Sequence, residues 1–144
     1  MGFKAIDITP IASYGPTAIT PSSKDVVVKV FAISRTDTVA SVKCVLPADA
    51  TILDMTVVSP TASDAATTAT ISVGLSGGSG TNYLNTVDVK TAAGTIRPTT
   101  KLTNMMNLEN TPLSTDIALT GVYAETGTAS TTGGPFYVIV EYVR

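Results

Sequence analysis

The sequence predicts an all-β domain. It is an antiparallel β-sandwich, jelly-roll-like or Ig-like in connectivity, with about seven or eight strands and one short helix. An extended N-terminal arm precedes it. Three observations lead there. First, the 144 residues include 25 Thr but only 3 Glu and 6 Lys. Thr is β-branched and stiff at χ1, so such a chain is a poor helix former and a good strand former. Second, short apolar runs, many of them alternating, recur about every 10–20 residues between Gly, Pro and Ser loops. Third, Pro10, Pro16 and Pro21 stand within residues 1–24, a spacing that denies both a regular helix and a central strand.

Residues 1–24 therefore read as an arm, and residues 25–144 as the sandwich domain. The arm carries apolar pegs at Phe3, Ile6, Ile8, Ile11 and Ile19, with Tyr14 among them. Pegs of this kind suit a segment that lies against its own domain or a neighbouring subunit; the plain alternative is a poorly ordered terminus. The six residues are the candidate partner-binding set.

The strands follow in order. Residues 26–34 (VVVKVFAIS) form a β-branched run with Lys29 on one face. In 38–46, Ala40, Val42, Cys44 and Leu46 share one face, with Ser41 and Lys43 on the other. Pro47-Ala48-Asp49-Ala50 is a turn. In 51–59, Leu53, Met55 and Val57 face one way, Asp54 and Thr56 the other. Ile71, Val73 and Leu75 alternate with Thr70, Ser72 and Gly74 in 69–75. A glycine loop fills 76–80. In 81–93, Thr81 or Asn82 can cap one or two turns of helix carrying Tyr83, Leu84 and Val87. Residues 95–103 read as an irregular strand that Pro98 confines to an edge, and 104–111 as a loop. Ile117, Leu119, Gly121 and Tyr123 alternate through 115–124. After the loop 127–134, residues 136–143 (FYVIVEYV) are apolar on both faces apart from Glu141, the pattern of a central strand.

Composition removes many chemistries. Nine Lys and Arg against eleven Asp and Glu leave a net charge of −2, with no His, no Trp and one Cys. Without His there is no imidazole base, triad or imidazole metal ligand. One Cys allows no disulfide within the chain and no Cys-based metal site. The charge balance lacks the basic footprint of nucleic-acid binding. No run approaches the roughly 18 apolar residues of a membrane span, and residues 1–16 lack a secretory pattern. No cofactor is expected, and synthesis and retention in a cytosol are. Charged residues are 14% of the chain, against roughly 25% in ordinary globular chains. Either much of the surface is covered in an assembly, or Thr and Ser hydroxyls keep it soluble.

The remaining motifs are weak. Gly74-Leu75-Ser76-Gly77-Gly78 spells G-x-S-x-G, but that elbow needs a His base. Gly77-Gly78-Ser79-Gly80-Thr81 lacks the lysine of a phosphate loop. The carboxylates are scattered and no D-x-D-x-D string occurs. Cys44 reads as a small buried hydrophobe on the inward face of its strand rather than a reactive thiol. Tyr137 and Tyr142 fall on opposite faces of the last strand, so the tyrosines read as packing residues, not a sugar platform.

One resemblance adds to this reading. Leu46-Pro47-Ala48-Asp49-Ala50-Thr51-Ile52-Leu53-Asp54-Met55-Thr56-Val57-Val58 resembles an "LPAGAxIxxVxV" opening found in small virion proteins of tailed bacteriophages. Thr70-Ile71-Ser72-Val73-Gly74 is similar to their "TxxVG" strand, and Asn82-Tyr83-Leu84 with Val87-Asp88 to the insert after it. The segment from Gly133 to Val143 resembles their terminal "GxxxVxVEYV" strand. The resemblance spans roughly residues 42–143 and leaves the arm unmatched. It implies a β-sandwich virion component of the capsid decoration (cement) type: non-enzymatic, often trimeric, seated on the outer head surface against the major capsid protein. The expected partners are thus further copies of the chain, a trimer being favoured, and the major capsid protein, with no nucleic acid and no membrane. The alternative is a receptor- or glycan-binding sandwich of a tail or head fibre.

Overall fold

The computed structural model describes residues 25–77, 81, 83–91, 93–97 and 112–144. Eight strands run in order: β1 (Val26–Ile33), β2 (Ser41–Leu46), β3 (Thr51–Ser59), β4 (Thr68–Leu75), β5 (Leu84–Asp88), β6 (Gly94–Ile96), β7 (Ile117–Thr126) and β8 (Phe136–Val143). They form two four-stranded sheets, ordered β1-β8-β3-β6 and β2-β7-β4-β5. Every pairing is antiparallel, which gives a β-sandwich.

The pairings nest: β1 with β8, β2 with β7, β3 with β6, β4 with β5. The first half of the chain thus lies antiparallel to the second, and the double ribbon is wrapped into two sheets. That is jelly-roll connectivity, and it decides against the Ig-like alternative. β8 lies between β1 and β3, as its two-sided apolar pattern requires.

The core fills the space between the sheets. Ile33, Ile52, Met55, Val57, Val138 and Val140 come from the first sheet. Ile71, Val73, Leu119 and Tyr123 come from the second. The Tyr123 and Phe136 rings stack across the interior, with centroids 5.7 Å apart and planes 8° from parallel. Gly121 on β7 lies so close under the opposite sheet that a Cβ there would stand 2.7 Å from Ile33 Cγ1 and Cδ1.

Three expectations need correction. No helix occurs among the described residues of 81–93; the segment holds strand β5 instead. Leu84 and Val87 are buried while Asn85 and Thr86 are exposed. That i, i+3 spacing imitates a helix face. It arises because the register slips between Ile71 and Val73 opposite, and Thr86 takes a left-handed φ of 50°. Val42 points outward, not inward with Cys44, because a bulge between Val42 and Cys44 inserts a residue. Leu53 is likewise exposed rather than facing inward with Met55 and Val57, through a bulge between Ile52 and Asp54. β6 is a three-residue edge strand; the remainder of the expected 95–103 strand from residue 98 onward, and the loop 104–111, lie outside the described residues.

Candidate functional site

The six arm residues Phe3, Ile6, Ile8, Ile11, Tyr14 and Ile19 lie outside the described residues. The other sequence candidates are placed. Ser76 follows β4 in a turn, and its N–H donates to Ala118 O at 2.9 Å. Cys44 is half-buried and packs against the core, so its thiol is less enclosed than expected. Burial pushes its pKa up, against a smaller opposing pull from the Lys29 charge. Tyr83, Tyr123 and Tyr142 are buried, whereas Tyr137 faces solvent on the opposite side of β8 from Tyr142. Those four therefore form no common platform. No group of three or more metal-ligating side chains occurs among the described residues.

One polar cluster was not foreseen. Tyr123 Oη donates to Glu125 Oε2 at 2.7 Å and lies 2.9 Å from Ser63 Oγ and 3.2 Å from Ser130 Oγ. Ser130 N–H also donates to Glu125, and Arg35 donates to Ser130 O. The Ser130 and Tyr123 hydrogen bonds hold the Glu125 carboxyl below its ordinary pKa. Ser63 and Ser130 are 67 positions apart, and no local motif links them. The cluster ties the 127–134 loop to β7 and to the loop before β4. Its acceptors and donors are matched to one another, which suits a structural fastening.

The sandwich's main unexplained feature is apolar. Among the described residues eight large hydrophobic side chains are exposed, and six are valines of β1, β2 and the connector between them. Val39 in the connector is 78% exposed; Val26, Val28, Val30, Val42 and Val45 lie between 49% and 58%. The cause is local. β1 alternates strictly, with Phe31 and Ile33 inward and Val26, Val28 and Val30 outward. On β2 the bulge leaves both Val42 and Val45 exposed, paired with the buried Thr120 and the half-buried Ala118 of β7. β1 and β2 are the terminal strands of their sheets, and they touch each other at one flank of the sandwich. Among the described residues both sheets therefore end on the same side, with the valines of β1 on the outer face of one sheet and those of β2 on the outer face of the other. Patches of this kind mark contact surfaces more often than free surface.

At the mouth of that flank stands Lys29. It pairs with the buried Val140 and shares the inward face of β1 with Phe31, yet it is exposed because β1 is an edge. On β2, Lys43 is paired: its Nζ lies 2.8 Å from Asp37 Oδ1.

No family model matches the chain, and no curated protein matches it. Two solved structures do share its fold. One is a chain of the cyanophage Pam1 capsid asymmetric unit, with a TM-score of 0.61 and 24% identity over 85% of this chain and 87% of that one. The other belongs to the capsid of Ralstonia phage GP4, with a TM-score of 0.54 and 17% identity over 87% and 88% of the two chains.

Proposed function

We propose that the chain is a non-enzymatic structural protein of a phage particle. Within that role we assign it to capsid decoration: it binds the outer head surface as a homo-oligomer, a trimer being favoured, and bridges neighbouring subunits of the major capsid protein. Its place is the virion, after synthesis in the cytoplasm of the host bacterium. The observation that carries the reading is the match, over nearly the whole of both chains, to components of two phage capsids. The site chemistry agrees with it. The described residues hold fastenings and an apolar flank, and cementing needs a rigid body with contact surfaces rather than a reactive group. Residues 1–24 are proposed as the segment that reaches to neighbours.

The test is an electron-microscopy map of the particle that carries the chain. The eight-strand sandwich is expected in density on the outer head surface, in contact with two or more capsid subunits. Density for it at a fibre tip or inside the head would overturn the reading.

A further inference from the structure

Among the described residues β1 closes its sheet at one end, so alternate N–H and C=O groups along its outer side face away from β8. The strand is eight residues long and valine-rich, and an edge of that length and character invites another strand. We propose that residues 3–9 of a neighbouring copy add to the free edge of β1 as a fifth strand, with Asp7 beside Lys29.

The match is one of alternation and charge. Phe3-Lys4-Ala5-Ile6-Asp7-Ile8-Thr9 contains neither Pro nor Gly and ends at Pro10, so it is the part of the arm able to pair along its whole length. In a strand, Ile6 and Ile8 share one face and Asp7 takes the other. Set against β1, Ile6 and Ile8 continue the outward face of Val26, Val28 and Val30. Asp7 then falls on the inward side, where Lys29 is exposed at the mouth of the sandwich. The opposite registry, with the isoleucines inward, would set Asp7 among the valines. Direct pairing of two β1 edges is disfavoured by the same lysine, because it brings two Lys29 ammonium groups together on one side of the joined sheet.

The spacer points to a second copy. Residues 10–24 contain Pro10, Pro16 and Pro21, and proline-rich spacers extend about 3.1 Å per residue. Fifteen such residues cover about 45 Å, whereas β1 itself is about 26 Å long. That reach is long enough to bring residues 3–9 to β1 of an adjacent copy. Head-to-tail exchange of this kind closes into a ring when the rotation permits, which fits the proposed homo-oligomer. The inference rests on residues 1–24 being partner-binding, and not on where in a particle the protein sits.

Disulfide trapping tests it in solution, without particles. In a Cys44→Ala background, one preparation carries Asp7→Cys and another Lys29→Cys. Paired cross-strand positions lie within disulfide reach, so mixing under mild oxidation should give a cross-linked dimer containing one chain of each kind. Absence of that species would overturn the pairing. So would a chain carrying both substitutions that cross-links only within itself at every dilution. A charge swap gives the second reading, by sedimentation on variants checked for a native circular-dichroism spectrum. Asp7→Lys and Lys29→Asp should each weaken self-association about tenfold, and the two together should restore it. Two weakening single variants with no restoration in the double would also sink the idea. If copies fail to cross-link while the chain is found on the head surface, the pairing falls and the decoration reading stands.

Discussion

Asp64 shows how a single exposed side chain fastens a loop. Its Oδ1 accepts from Thr131 N and Thr132 N, both at 2.8 Å, and its Oδ2 accepts from Thr131 Oγ1 at 2.7 Å. The backbone N–H of Thr132, then the Thr131 hydroxyl, hold the carboxyl at a pKa of about 2, below its ordinary 3.8. A carboxylate whose pKa is depressed by folding adds stability that is complete above the unfolded value and lost as pH falls through the folded one. Asp64→Asn should therefore lower the melting temperature at pH 7, and the gap to the wild type should close between about pH 4 and pH 2. A gap that stays constant over that range would contradict the assignment. Nothing in the sequence marked Asp64 for this role, because its partners stand 67 and 68 positions away. The same holds for Tyr123 with Ser63: long-range hydrogen bonds leave no local pattern.

At the scale of the element, alternation made most strands legible. The readings 51–59 and 136–143 coincide with β3 and β8, and 26–34 differs from β1 by one residue. β8 was recognisable as central because a strand with a sheet neighbour on each side, lying over the core, tolerates apolar residues on both faces. The failures all lie at register irregularities. A bulge inserts one residue and reverses the faces beyond it, which is why Val42 and Leu53 came out exposed and why Leu84 and Val87 mimicked a helix. Thr86 is the sharpest instance, since a β-branched residue at a φ of 50° is strained. Thr86→Asn, which suits the left-handed region better, is expected to stabilise the domain by about 1 kcal/mol in urea denaturation. A clear loss of stability would mean that the Thr86 side chain, not its backbone, carries the β5 bulge.

For the whole molecule, the decisive quantity is the separation of the two sheets. Gly121 and Ile33 come from opposite sheets and meet without room for one more carbon. In an exposed strand, replacing Gly by Ala would gain a little stability. Here Gly121→Ala should cost about 1–3 kcal/mol through overpacking. Adding Ile33→Val, which removes Cδ1, should recover part of that loss, and a double-mutant cycle on denaturation midpoints measures the coupling. Additive losses would show that the two positions do not press on each other. The same scale explains the contact surface. The outward valines of β1 are visible as a β-branched run, yet their exposure on an open flank depends on β1 and β2 both ending their sheets on one side. Composition and periodicity by themselves determined the all-β class, the place of most strands and the lack of histidine or paired-cysteine chemistry, because those follow from residue type and from a two-residue repeat within each strand. Only the tertiary structure decided the jelly-roll nesting, the bulged faces and the valine flank. Those depend on which distant strands share hydrogen bonds, and a period-two pattern is the same whichever neighbour a strand acquires.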